Sequence, residues 1–110
     1  MNIKLCSIDD LKKSNSIKEL SVSAGEETLE LLMIYSNGNI IIMENSCPHE
    51  KIPLYENSVI AEEDNSIECV NHGAKFNLTS GAPLNFVTNR KLKLYKNYID
   101  EYGNIYLTIL

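Results

Sequence analysis

Two short clusters, each holding one cysteine and one histidine, constrain this chain more than any other feature. Cys47-Pro48-His49 and Cys69-Val70-Asn71-His72 are separated by residues 50 to 68. Two loops at the ends of neighbouring strands can bring a thiolate and an imidazole each onto one centre. Two sulfurs and two nitrogens suit a tetrahedral zinc ion, and they also suit a 2Fe-2S cluster in which imidazoles replace thiolates on one iron. Zinc loops usually open with two to four residues between ligands, whereas only Pro48 separates Cys47 from His49, which favours the cluster. A lone cysteine or histidine is ordinarily core filling or solvated surface. Two such pairs, each followed by further patterned residues, argue for a metal centre.

Those further residues are Pro53-Leu54 after the first pair and Gly73 and Phe76 around the second, giving C-P-H-x-x-x-P-L and C-x-x-H-G-x-x-F. In both stretches the chain resembles the Rieske ferredoxin family. The resemblance implies that Cys47 and Cys69 hold the inner iron of one 2Fe-2S cluster, and that His49 and His72 hold the outer iron and reach the surface. It implies that Gly81-Ala82-Pro83 covers the cluster as a third loop. Lys51, Val70 and Asn77 depart from the family pattern, standing where a glycine, a proline and an aspartate are common. None of the three is an expected ligand. An apolar docking rim of Pro48, Pro53, Leu54 and Pro83 is expected around the histidines. A low midpoint potential is also expected, because high-potential members carry a serine and a tyrosine hydroxyl where this chain has Ala74 and Phe76.

Length and composition narrow the functions open to such a chain. At 110 residues it reads as one domain without room for a second catalytic one. Its only histidines are the two already assigned, so the two-histidine, one-carboxylate iron site of an oxygenase large subunit cannot be built as well. Fifteen acidic against ten basic residues give a net charge of −5, which argues against nucleic acid and anionic membranes. That balance suits docking on a basic patch of a redox partner, or simply solubility. The apolar stretches Leu29 to Tyr35 and Ile40 to Met43 fall far short of the roughly 20 residues of a spanning helix. With no secretory apolar region near Met1, the cytoplasm is the expected compartment. Two of the three cysteines are expected ligands, so no disulfide is expected and Cys6 reads as a small, partly buried apolar residue.

Along the chain, residues 3 to 8 predict a strand, and Ser7 or Asp9 can cap a short helical turn at Asp10 to Lys13. Strands follow at Ile17 to Ala24 and Thr28 to Ser36. Asn37-Gly38 predicts a type I′ hairpin that returns Asn39 to Glu44 antiparallel and delivers the chain to Cys47. Val59 to Ala61 and Ser66 to Glu68 read as short strands joined by the acidic turn Glu62 to Asn65, a solvated tip or a docking element. The segment from Gly81 to Arg90 reads as loop. Leu92 and Leu94 share one face of a strand, and Ile105 to Leu110 closes the fold. The expected class is all-β: an antiparallel sandwich or barrel. A cluster-binding subdomain at about residues 45–84 is inserted in a base of residues 1–44 and 85–110.

With two ferric ions, two sulfides and two thiolates, the formal charges cancel, and one-electron reduction leaves a single negative charge in a rigid cage. The expected function is therefore a one-electron carrier without substrate chemistry of its own. The resemblance implies a flavoprotein reductase as donor and a terminal oxygenase or related reductase as acceptor. The alternatives are a small subunit of a larger reductase of the nitrite reductase type, and a zinc-stabilised binding module.

Overall fold

The computed structural model describes residues 1–109. Its elements are β1 (Asn2–Ser7), helix α1 (Ile8–Lys13), β2 (Ile17–Ala24), β3 (Glu27–Ser36), β4 (Asn39–Glu44), β5 (Ser58–Ala61), a 3₁₀ turn (Glu62–Asp64), β6 (Ser66–Cys69), β7 (Lys75–Asn77), β8 (Leu94–Ile99) and β9 (Asn104–Thr108). One antiparallel sheet has six strands in the order β1-β9-β8-β4-β3-β2, and a second has three, β5-β6-β7. Edge strands β1 and β2 approach each other across α1, so the larger sheet is nearly closed into a barrel. The smaller sheet enters the chain between β4 and β8. This is the all-β class expected.

β3 accounts for the apolar run in the sequence. Leu31, Leu32, Met33 and Ile34 are all buried. Leu32 and Ile34 pack with Met43, Ile67 and Phe76, whereas Leu31 and Met33 pack with Ile42, Ile105 and Leu107. Alternate residues of a strand face opposite ways, so a strand covered on both faces needs an unbroken apolar run. Each fully buried aliphatic side chain contributes about 1.5–3 kcal/mol, more than the ~0.2–1 kcal/mol of a single cross-strand pair. β3 is therefore the common wall of two cores, one within the barrel and one between the barrel and the smaller sheet.

Local signals set the element ends. The Ser7 hydroxyl accepts from the Asp10 N–H at 3.1 Å and starts α1, whose first turn is acidic and last turn basic, matching the helix dipole. Asn37 and Gly38 both have positive φ, 52° and 77°, as a type I′ turn requires. Beyond β4, the Asn45 N–H donates to Glu30 O at 2.9 Å and its Oδ1 accepts from the Tyr55 N–H at 3.0 Å. Asn45 thus fastens the chain that follows β4 to the base sheet.

Three differences from the sequence reading are local. β7 was not expected; at three residues, with only Phe76 fully buried, it is too short to show a period. β8 begins at Leu94, so Leu92 does not share a strand face with it; Leu92 is buried ahead of the strand, donating its N–H to Gly81 O at 2.8 Å. The last strand ends at Thr108, and Leu110 lies outside the described residues. No helix among the described residues is long and apolar enough to cross a membrane.

Candidate metal centre

The two ligand-bearing loops close in the same way. After β4, the Cys47 N–H donates to Ile52 O at 2.8 Å and the Lys51 N–H to Cys47 O at 2.6 Å. Between β6 and β7, the Cys69 N–H donates to Ala74 O at 2.8 Å and the Gly73 N–H to Cys69 O at 2.9 Å. The fifth residue of each loop is left-handed, with φ of 60° at Lys51 and 74° at Gly73. Equivalent turns present the cysteine first and the histidine soon after.

Both cysteines are buried and belong to the core between the two sheets. Burial pushes the Cys69 thiol above its usual range; the N–H groups of Asn71 and His72 directed at its sulfur oppose the shift, and the adjacent Cys47 sulfur adds to it. Backbone donors aimed at a sulfur stabilise the thiolate that a metal ligand must become. His49 and His72 face solvent, and their rings meet edge to face with centroids 5.4 Å apart and planes at 83°. The four expected residues are thus gathered with neighbouring sulfurs inward and neighbouring imidazoles outward. That donor set fits a 2Fe-2S cluster of mixed ligation, with soft anionic ligands shielded and neutral ones at the surface.

Glu50 is a polar member of the site that sequence reasoning missed. Its half-buried carboxylate lies against His72 Nδ1, and its Oε2 accepts from the Asn71 side-chain amide at 3.3 Å. Donor atoms of His49, Glu50 and His72 lie within 4.8 Å of one another. The only sequence signal was a carboxylate directly after His49.

The third loop lies along β7. Pro83 bridges to Phe76, the Leu84 N–H donates to Lys75 O at 2.7 Å, and the Asn85 amide donates to Gly73 O at 2.7 Å. Gly81 cannot be replaced there: its φ is 77°, and a Cβ would stand 2.3 Å from Leu92 O. The departures from the family pattern have local explanations. Asn77 Oδ1 accepts from the Thr79 and Ser80 N–H groups at 2.8 and 2.9 Å, as an aspartate would. Val70 uses the N–H that a proline lacks, donating to Asn57 O at 3.0 Å.

The expected apolar rim needs correction at Leu54, which is fully buried in the core beside both cysteines and offers no docking surface. The exposed apolar groups near loop two are instead Val70, Leu84 and Phe86, the last with its whole side chain in solvent at 107% relative exposure. The acidic turn is also engaged: Glu62 O accepts from the Asn37 amide at 2.9 Å, and Asp64 pairs with Lys75 at 3.1 Å. Cys6 stands apart in β1, half-buried and free. Burial raises its thiol pKa, as befits a small apolar residue.

The chain is similar to known proteins along most of its length. The family described as the Rieske [2Fe-2S] domain matches residues 1–96. The 3-phenylpropionate/cinnamic acid dioxygenase ferredoxin subunit of Photorhabdus laumondii is 25% identical over 105 residues, covering 96% of this chain and 91% of that protein. The Sphingomonas yanoikuyae B1 ferredoxin superposes with a TM-score of 0.77 at 21% identity over 100% of both chains. The ferredoxin of carbazole 1,9a-dioxygenase from Nocardioides aromaticivorans IC177 does so with 0.75 at 18% identity, over 97% of this chain and 96% of that one. A chain from a complex of reduced oxygenase and oxidized ferredoxin in carbazole 1,9a-dioxygenase also gives 0.75, at 22% identity over 96% and 91%.

Proposed function

This chain belongs to the Rieske [2Fe-2S] domain family, and from that premise we propose that it is a one-electron carrier. The observation that carries the reading is the pair of adjacent buried sulfurs beneath two adjacent exposed imidazoles. We assign Cys47 and Cys69 as ligands of the inner iron and His49 and His72 as ligands of the outer one. When bound, the cluster takes up and releases a single electron with little rearrangement. The chain's own residues do the rest. The closed loops hold the sulfurs in a dry cage, the Asn71 and His72 amides donate to Cys69, and the imidazole edges give an electron a short exit to a docked protein.

We propose that residues 45–84 form the cluster-binding subdomain within a base of residues 1–44 and 85–110, a division supported by the separate three-stranded sheet. The partners we propose are a flavoprotein reductase as donor and a terminal oxygenase as acceptor; the dioxygenase ferredoxins among the similar proteins support the second. For its compartment we propose the cytoplasm.

The test is a coulometric titration of the purified, coloured protein. One electron per chain, taken up and released reversibly, is expected; Cys69→Ser abolishes it and Cys6→Ser preserves it. Loss of the cluster in Cys6→Ser would overturn the ligand assignment, and absence of reversible uptake in the parent would overturn the carrier.

A further inference from the structure

The net charge of −5 suggests a protein that presents carboxylates to its partners. The surface beside the first ligand loop has the opposite sign. Pro48 and Lys51 form one wall of a cleft of about 350 Å³, and Arg90, Lys91 and Lys93 form the other, with Glu44 its one carboxylate. Four of the chain's ten cationic side chains thus line a single cleft, and Pro48 at its edge is the residue between Cys47 and His49.

Backbone contacts fix this placement. Leu92 is buried, with its N–H on Gly81 O, while Lys91 and Lys93 on either side of it are exposed. Lys93 O accepts from the Glu44 N–H at 2.9 Å, and its ammonium lies 5.1 Å from the centre of the Tyr95 ring. On the facing wall, the left-handed turn at Lys51 is closed by the bond to Cys47 O. The base sheet therefore holds one cationic strip, and the ligand loop holds the cation that faces it.

Screening decides which sign a partner feels. At physiological salt the Debye length is about 8 Å, so a docking protein senses the charges at the contact and little of the distant carboxylates. The cleft itself is lined by four cations and one anion.

We propose that this cleft is the docking groove for an acidic edge of the redox-partner protein, whose carboxylates seat between loop one and residues 90–93 on the His49 side of the centre. The inference rests on the carrier reading and adds the sign of the partner's contact surface. It also reverses, for this flank, the expectation drawn from net charge. Complementary contact charges raise association rates, and the gain falls with ionic strength.

The experiment uses the cluster-containing protein in stopped flow, with two probes of opposite sign. A reduced plant-type [2Fe-2S] ferredoxin is the acidic donor to the oxidised protein, and ferricytochrome c is the basic acceptor from the reduced protein. The variant K51E/R90E/K91E spares Lys93. The control K4E/K12E/K13E makes the same change in net charge with exposed lysines of β1 and α1. The cleft variant is expected to slow reduction by the acidic donor by about tenfold or more at low salt and to speed transfer to cytochrome c. The control is expected to change either rate by less than about threefold. Equal losses for the two variants with the acidic donor would overturn the proposal, as would a cleft variant whose binding to duplex DNA falls from that of the parent by the same factor as its rate with that donor, since this marks a general polyanion site. A protein with no reducible cluster, or one that exchanges no electron with either probe, contradicts the carrier reading itself.

Discussion

Lys51 and Gly73 occupy the same position in two loops of like closure, both left-handed, although only one of them is a glycine. An L-residue in this conformation costs about 1–2 kcal/mol, and glycine costs about 0.4–1 kcal/mol through the entropy of the unfolded chain. Lys51→Gly is therefore expected to raise stability by up to about 1 kcal/mol. A Cβ at Gly73 would meet nothing within 4 Å, so Gly73→Ala should lose up to about 1 kcal/mol, the backbone strain less the entropy gained by removing a glycine. Denaturant midpoints of the loaded protein check both. A destabilising Lys51→Gly would show that the lysine side chain stabilises the loop by more than its backbone strains it.

Leu54 and Phe86 should respond in opposite ways. Leu54 has no exposed surface, so Leu54→Glu buries an unpaired carboxylate and is expected to cost at least about 3 kcal/mol and to bleach the protein. Phe86 is fully exposed, so Phe86→Ala should change stability by no more than about 0.5 kcal/mol and keep the colour. Its effect should appear in the rate of electron exchange with a docked protein. Thermal melts and stopped-flow traces on the two variants separate these outcomes.

The β8–β9 turn should carry a measurable acid sensitivity. Asp100 Oδ1 accepts from the Asn104 N–H at 2.8 Å and the Tyr102 N–H at 2.9 Å, and these bonds hold its carboxyl below the usual range. A depressed carboxylate pKa stabilises the fold above the unfolded value, and the effect is lost as pH falls through the folded value. Asp100→Ala should therefore lower the melting temperature at neutral pH, with a deficit that shrinks steadily below about pH 4. A deficit independent of pH would mean that the carboxylate's charge does not support the turn.

Ala74 and Phe76 are buried beside the cysteines and carry no hydroxyl. Hydrogen bonds to sulfur favour the electron-rich reduced state, so their absence here lowers the potential. Voltammetry should place the midpoint toward the bottom of the roughly −150 to +300 mV range of such centres. A value above about +100 mV, in the upper half of that range, would mean that backbone donors or solvent exclusion outweigh the missing hydroxyls.

The sequence made the centre legible because its information is local. Cys47, His49, Cys69 and His72 announce themselves by spacing, and Asn37-Gly38 announces its hairpin because few other residues tolerate two positive φ values in succession. What escaped depends on contacts distant in the chain. Leu54 looked like rim because it adjoins Pro53, and only the packing of Ile67, Phe76 and Leu92 around it makes it core. The cationic cleft joins Lys51 to Arg90, Lys91 and Lys93 across nearly forty positions, which no local pattern can show. Leu92 lies ahead of β8 because Gly81 draws its backbone away, a contact that periodicity does not register.

Cys47, His49, Cys69 and His72 are expected to hold a 2Fe-2S cluster, and metal and sulfide analysis of the purified protein tests this most directly. Iron and acid-labile sulfide in equal amounts, two of each per chain, with a red-brown colour, is the result expected. Zinc at one per chain without sulfide would contradict it and turn the same four residues into a structural site.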